Sequence, residues 1–203
     1  MDELMQRALE GMKKNGFEVV QVDTAAEAKE YLLRAIPQEA SVGTGGSMTV
    51  LETGVLDALV ERGNTLYSHW KAAPEDKPQT LRNARNADVY LTSANAVTKD
   101  GRLVLVDGTG NRVGAVCDGP AQVYFVISQK KLVDGGINTA VARTKKQACP
   151  PNASRLGLDT PCARTGICGE DCPDSMCRLT LAVDRTPRGR HFTVVWVEEP
   201  LGY

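Results

Sequence analysis

The chain has 203 residues, of which 42% are hydrophobic and 24% are charged, and its formal net charge at pH 7 is −1. This composition is typical of a globular protein with one well-filled core, and the balanced charge excludes a general attraction to nucleic acid or to an anionic membrane. The sequence contains no apolar run long enough to cross a bilayer and no secretory segment at its start, so a cytoplasmic location is expected.

The first 95 residues alternate between helical and strand-like patterns. Helices are predicted over 4–12, 24–35, 48–59 and 81–86, and strands over 17–22, 40–42, 64–67 and 88–93. This alternation predicts an α/β fold in which a three-layer, mostly parallel sheet has helices on both faces. Ligands of such sheets bind in the loops at the carboxyl ends of the strands.

The pattern changes after residue 100. Short strands are predicted over 103–106, 112–117 and 122–128, separated by turns that contain glycine, and they indicate a small antiparallel extension of the sheet. A helix over 138–147 and a final strand over 191–197 follow, while 149–178 is rich in Pro, Gly, Cys and Asp and is predicted to be irregular. We expect residues 1–203 to form a single domain.

A glycine-rich loop connects the strand at 40–42 to the helix that starts at Met48. Glycine allows a ligand to approach the backbone closely, and the N–H groups and dipole of a helix N-terminus favour an anion. The loop lacks the lysine of a P-loop and the glycine spacing of a dinucleotide fingerprint. The alternative is a tight turn with a serine N-cap and no ligand. The candidate ligand-binding residues here are Gly43, Thr44, Gly45, Gly46, Ser47 and Thr49.

Two polar turns in the segment 92–112 are placed to line the same pocket. Arg112 is suited to pair with a carboxylate or phosphate, and Asp107 is suited to act as a base or to hold a hydroxyl group. The alternative is that both turns simply connect strands, because Asp-Gly is a common turn signal. The candidate ligand-binding residues of this segment are Asn95, Asp107, Gly108, Asn111 and Arg112.

Four of the six cysteines lie within one short stretch: Cys162, Cys168, Cys172 and Cys177. Clustered cysteines in a cytosolic chain favour a metal site, here zinc or an iron–sulfur cluster, although the spacing matches neither paired CxxC knuckles nor ferredoxin runs. Structural thiols, a disulfide, or a redox-active pair such as Cys168 with Cys172 remain open alternatives. The isolated Cys117 is expected in the core.

The other titratable residues carry weaker signals. His69 ends a predicted strand beside Trp70 and is expected to be a partly exposed surface residue, with the ligand cleft as the alternative. The basic residues of the second half are expected to lie on solvated faces: Lys130, Lys131, Arg143, Lys145 and Lys146.

The motifs together resemble the LUD domain family, formerly DUF162. The resemblance is carried by Gly-Ser-Met-Thr at 46–49 with Glu52, by Ser-Ala-Asn-Ala-Val-Thr at 93–98, and by Asp-Gly-Thr-Gly-Asn-Arg at 107–112. It continues through Pro-Cys-Ala-Arg-Thr-Gly at 161–166 and Leu-Gly-Tyr at 201–203. It implies a fold like that of ribose-5-phosphate isomerase and the coenzyme A transferases, whose corresponding loop holds phosphate, acyl or coenzyme A groups.

The resemblance also implies a function. LUD proteins are associated with the oxidation of L-lactate to pyruvate, beside partner subunits that carry iron–sulfur clusters, so this chain is expected to bind a small anionic or acyl ligand as an accessory subunit. Two alternatives stay open: a stand-alone transferase or sugar-phosphate isomerase, and a redox- or metal-sensing regulatory protein. A homo-oligomer is compatible with each. No catalytic residue and no independent activity can be assigned from the sequence.

Overall fold

The computed structural model describes residues 3–169 and 171–203. Within these ranges the strands, in chain order, are β1 (Glu18–Val22), β2 (Val42–Thr44), β3 (Leu66–Ser68), β4 (Val89–Thr92), β5 (Ala96–Val97), β6 (Leu103–Asp107), β7 (Gln122–Ser128), β8 (Leu179–Val183) and β9 (His191–Val197). The α-helices are α1 (Glu3–Lys14), α2 (Ala25–Ala35), α3 (Met48–Glu52), α4 (Val55–Glu61), α5 (Lys77–Arg85), α6 (Asn111–Asp118), α7 (Ile137–Arg143), α8 (Cys149–Arg155) and α9 (Pro161–Thr165).

The main sheet has six strands in the order β1-β9-β7-β4-β2-β3, and all of its pairings are parallel. Its central strand β7 is buried from Val123 to Ser128, as expected for a strand covered on both faces. Because every strand of this sheet runs in the same direction, the loops that follow β2, β3, β4 and β7 emerge at one edge.

Two hydrophobic cores lie on opposite faces of this sheet. One contains Met5 and Leu9 of α1 with Phe125 and Trp196 of the sheet, and the other contains Leu32 of α2 with residues of α4 and the opposite side chains of the same strands. The alternation of side chains along each strand directs successive residues into different cores. The predicted three-layer α/β fold is therefore confirmed.

A second, three-stranded sheet in the order β5-β6-β8 is antiparallel and forms the predicted small extension. Its composition differs from the prediction, because the strand at 122–128, predicted to belong to this extension, is β7 of the parallel main sheet. The predicted strand at 112–117 is wrong, because these residues belong to helix α6. The Asp107 carboxylate accepts hydrogen bonds from the N–H groups of Arg112 (2.9 Å) and Val113 (3.2 Å), and this satisfies donors that would otherwise be unpaired at the start of the helix.

Other helix and strand boundaries also differ from the predicted ones. The helix predicted over 48–59 is broken into α3 and α4 at Thr53 and Gly54, where Gly54 has a φ of 71°. The segment 149–178, predicted to be irregular, contains α8 and α9, and the unpredicted strand β8 follows it. The helix predicted over 138–147 is confirmed as α7, which continues into a π-helical turn. Among the described residues, no helix is long and apolar enough to span a membrane.

Candidate functional site

A cleft of about 440 Å³ opens at the carboxyl edge of the main sheet. Its floor is formed by residues that directly follow four parallel strands, namely the loops after β2, β3, β4 and β7. Its sides are formed by the β6–α6 turn, by the loop before β8, which lies beside that turn, and by α8. This is the position at which open α/β sheets bind their ligands.

The glycine loop lies against the floor of the cleft. Ser47 caps α3, since its hydroxyl accepts a hydrogen bond from the Val50 N–H group (3.3 Å). At Gly45 a Cβ atom would overlap the Arg112 side chain and the Tyr90 hydroxyl. Gly46 has a φ of 78°, and a Cβ there would lie 3.0 Å from the Trp70 ring. These positions require glycine because the loop passes between groups that leave no room for a side chain.

Asp107 and Arg112 form the side of the cleft beside α6. The Arg112 Nε atom lies 3.8 Å from the Asp107 carboxylate, and 7% of the aspartate side chain is exposed. Arg112 also donates from Nη2 to the Asn95 side-chain oxygen (3.4 Å), and that oxygen accepts the Val106 N–H group (2.8 Å). These contacts fix the guanidinium group in position, so a ligand anion would meet a preorganised cation.

Lys131 is a residue of the cleft that is not among the predicted ligand-binding residues. Only 4% of it is exposed, yet it lines the cleft just beyond the end of β7. Its Nζ atom donates to the Thr49 hydroxyl (2.6 Å), the Ser93 hydroxyl (2.9 Å) and the Ala94 carbonyl oxygen (3.1 Å). The prediction that Lys131 lies on a solvated face is therefore wrong. The signal that could have found it is its place just after β7, a parallel strand that is buried from Val123 to Ser128.

Burial is the main cause that lowers the pKa of Lys131 well below its ordinary value. The positive charges of Arg143, Arg112 and Lys130 lower this pKa further, and the negative charge of Glu52 opposes them. The interior end of the cleft is thus rich in positive charge. A bound anion would relieve this repulsion.

The LUD domain family model matches residues 5–197. The chain belongs to the LUD domain family. Its fold is similar to the crystal structure of a DUF162 family protein from Deinococcus radiodurans at a TM-score of 0.55, with 15% sequence identity over 96% of each chain.

A second solved structure, ribose 5 phosphate isomerase A from Neisseria gonorrhoeae, matches with a TM-score of 0.35 and 17% identity over 54% of this chain and 53% of the isomerase. A search of curated proteins found no match. The shared fold with the DUF162 protein agrees with the family assignment.

The LUD domain brings together eight of the eleven predicted ligand-binding residues. The residues that line the cleft are Gly45, Gly46, Ser47, Thr49, Asn95, Asp107, Gly108 and Arg112. Gly43 and Thr44 lie within β2 and do not line it. Asn111 supports the glycine loop from behind, since its side-chain N–H group donates to the Gly45 carbonyl oxygen (3.0 Å). Ligand binding by the cleft residues stays a prediction.

Arg143 is a second basic residue that is buried instead of solvated, with 8% exposed. Its guanidinium group donates to the carbonyl oxygens of Asn95 (2.8 Å), Tyr203 (3.0 Å) and Lys130 (3.3 Å). It therefore joins the turn after β4, the segment that contains Tyr203 and the turn after β7 behind the cleft. Arg143 has a structural role in holding the floor of the site together.

His69 and Trp70 lie at the opposite side of the cleft from Lys131 along the sheet edge, just after β3. The Nδ1 atom of His69 is buried without a hydrogen-bond partner. Burial and the nearby charge of Lys77 lower the pKa of His69, while Asp107 opposes them. His69 therefore lines the cleft, which was the alternative prediction for this residue.

The cysteine residues are arranged differently from the predicted set. The Cys149 and Cys177 sulfur atoms lie 3.3 Å apart, and their hydrogen bond lowers the pKa of the Cys177 thiol and raises that of Cys149. Within residues 3–169 and 171–203, no group of three or more His, Cys, Asp or Glu side chains is placed to hold a metal ion. A zinc or iron–sulfur site at Cys162, Cys168, Cys172 and Cys177 stays a prediction. The expectation that Cys117 lies in the core is wrong, because it is exposed on α6.

The lowered pKa of Lys131 gives a prediction about pH and stability. Between the lowered pKa of the folded state and the ordinary value of 10.5, the unfolded chain binds a proton at this lysine and the folded chain does not. The free energy of unfolding therefore rises with pH in this window. The measurement is urea denaturation of the native protein and of Lys131→Met at several pH values. We expect the native free energy of unfolding minus that of the variant to rise with pH. A difference that stays constant would contradict the burial of this amine.

Proposed function

We propose that this LUD protein binds a small carboxylate, L-lactate or its oxidation product pyruvate, in the cleft at the carboxyl edge of the sheet. In this role it serves L-lactate oxidation as an accessory subunit. The observation that carries the proposal is the convergence of the glycine loop, the Arg112 guanidinium group and the Lys131 amine on one cleft. The N–H groups of the loop and the Arg112 guanidinium group each favour an anion for an independent physical reason, and the Lys131 amine adds hydrogen-bond donors.

The polar groups at the charged end of the cleft support a small ligand that carries a hydroxyl group. Thr49, Ser93 and the Ala94 carbonyl surround the Lys131 amine, so polar atoms of a ligand would meet hydroxyl donors and acceptors close to the cationic groups. A 2-hydroxy acid offers one carboxylate for the cations and one hydroxyl group for these partners. The chemistry of the cleft therefore matches both polar groups of such a ligand.

The accessory role is supported by the family assignment and by the chemistry of oxidation. Removing two electrons from lactate needs an electron acceptor, and the LUD family is associated with partner subunits that carry iron–sulfur clusters. We therefore expect the purified chain to bind its ligand without oxidising it. Lactate oxidation should require the addition of these partners.

Binding is tested by calorimetric titration of the purified chain with L-lactate, pyruvate, inorganic phosphate, ribose 5-phosphate and coenzyme A. Gly46→Val should weaken lactate or pyruvate binding by about tenfold or more, equivalent to about 1.4 kcal/mol, because the added side chain meets the Trp70 ring. Gly63→Val is the matched control, since Gly63 also has a positive φ (101°) but has no neighbouring atom within 4 Å of an added Cβ.

The outcomes separate the competing functions. If Gly46→Val binds the ligand as the native protein does, and circular dichroism shows that both variants are folded, the glycine loop is not part of the ligand site. Binding and turnover of ribose 5-phosphate or an acyl-coenzyme A by the chain alone would contradict the accessory role and favour a stand-alone isomerase or transferase.

A further inference from the structure

The amine of Lys131 has an uncommon combination of burial and access to a ligand. Its side chain is nearly excluded from solvent but lines the cleft, so a ligand in the cleft would lie beside an amine that bulk water scarcely reaches. Its three hydrogen-bond partners are two hydroxyl groups and one carbonyl oxygen, and none of them is charged. The amine is therefore held in place without a counter-ion in direct contact.

The partners of Lys131 are compatible with a neutral amine, because two of the three are hydroxyl groups, which can accept from an N–H group or donate to a nitrogen lone pair. The Ser93 hydroxyl donates to the Ala94 carbonyl oxygen (3.1 Å), so it accepts from Lys131. The Thr49 hydroxyl accepts from Nζ at 2.6 Å and, when the amine is neutral, can reverse this bond and donate to the lone pair. Burial and the flanking positive charges disfavour the ammonium form. A lysine that keeps its lone pair in a water-poor pocket is the form that attacks carbonyl carbon atoms.

The second requirement of such a reaction is that the ligand is held by another group. Arg112 lines the same cleft and is fixed by Asp107, Asn95 and the Val106 carbonyl oxygen. A carboxylate paired with Arg112 would leave the adjacent carbonyl group of a 2-oxo acid free to face the amine. The two groups of the ligand would thus meet two different residues of the cleft.

Resting on the proposed function, which brings a 2-oxo acid into the cleft, we infer that Lys131 forms a reversible imine with the carbonyl carbon of that ligand. The activity that this adds is covalent retention of the carbonyl compound, beyond the simple binding of an anion. The 2-oxo acid is the substrate class because it alone joins a carboxylate for Arg112 to a reactive carbonyl.

The reaction balances without an oxidant or reductant. The Nζ lone pair forms a bond to the carbonyl carbon, and one N–H proton passes to the former carbonyl oxygen to give a carbinolamine. The C–O bond then breaks, and the oxygen leaves as water with the second nitrogen proton, so that a C=N bond remains. The Thr49 and Ser93 hydroxyl groups lie at hydrogen-bond distance from Nζ and can relay these protons.

Reductive trapping tests the inference. The full chain is incubated with pyruvate, or separately with the uncharged aldehyde propanal, and treated with sodium cyanoborohydride, which converts an imine to a stable secondary amine. Mass spectrometry of the intact protein and of its peptides should show one dominant pyruvate adduct, located at Lys131. Lys131→Arg, which retains a cation but cannot form the imine, should lose it. Lys130→Met should retain it, because Lys130 is the exposed neighbour.

The controls separate this inference from the proposed function. Pyruvate binding by calorimetry without an adduct at Lys131 would overturn the inference and leave the proposed function intact. Adducts spread over exposed lysines without enrichment at Lys131 would also overturn it. Selective propanal labelling of Lys131 without pyruvate binding would support the amine chemistry while contradicting the carboxylate ligand. Peptide mapping of the native protein shows whether the adduct is at Lys131, so the inference is tested even if a variant fails to fold.

Discussion

Asp107→Ala is expected to lower the free energy of unfolding by about 3 kcal/mol. The carboxylate accepts the N–H groups of Gly108 (3.0 Å), Arg112 and Val113, and it is the ion-pair partner of the Arg112 guanidinium group. Alanine would leave the start of α6 and a largely buried cation without their partner. Urea denaturation followed by circular dichroism measures the change.

A control for this variant is Asp134→Ala. Asp134 pairs with Lys99 at 3.3 Å, but 74% of its side chain is exposed, so the loss should stay below about 1 kcal/mol. Asp107→Asn retains an acceptor oxygen and loses the charge, so its loss of unfolding free energy should lie between those of Asp107→Ala and Asp134→Ala. If Asp107→Ala and Asp134→Ala destabilise the protein equally, the carboxylate does not organise this side of the cleft.

Gly43→Ala is expected to destabilise the protein by about 3 kcal/mol, at the upper end of the cost of overpacking a core. Gly43 lies within β2, and a Cβ atom there would overlap the backbone carbonyl of Ala84 in α5. A backbone group cannot rotate away as a side-chain end can, so the helix would have to move from the sheet. Thermal and urea denaturation both report this change.

Gly114→Ala provides the matched comparison. Gly114 is inside α6, and the nearest atom to an added Cβ is the Arg85 Cδ atom at 4.0 Å. Alanine at such a helical position should stabilise the protein by about 0.5 to 1 kcal/mol. The changes in the free energy of unfolding caused by Gly43→Ala and Gly114→Ala are therefore expected to have opposite signs. A Gly43→Ala protein as stable as the native one would show that α5 does not pack against β2 as described.

The sequence predicts the layered fold well because its signal is periodic. Helical spacing from Leu4 to Met12 and the buried strand at 122–128 repeat over several residues, so local pattern and tertiary structure agree. The glycine loop is also predictable, because strand, glycines and helix N-terminus follow one another directly in the chain. These features depend on neighbours in sequence.

Features that depend on distant residues were less predictable. Val113 and Val116 favour a strand locally, but the Asp107 carboxylate and the αL conformation of Gly110 (φ 81°) start a helix there. Lys131 stands beside another lysine and therefore resembles a surface residue. Its burial is decided by Thr49 and Ser93, which lie 82 and 38 positions earlier in the chain.

The strand order of the main sheet affects the order in which its strands can pair during folding. β1 lies at the edge of the sheet and is bonded to β9, so Val19 pairs with Val194. Among the described strands, the first in chain order therefore has only the last as its partner, so β1 is unpaired until β9 is in place. Pairings of such long sequence separation are formed slowly. We expect β1 to join the sheet late in folding, after β9 has paired with β7.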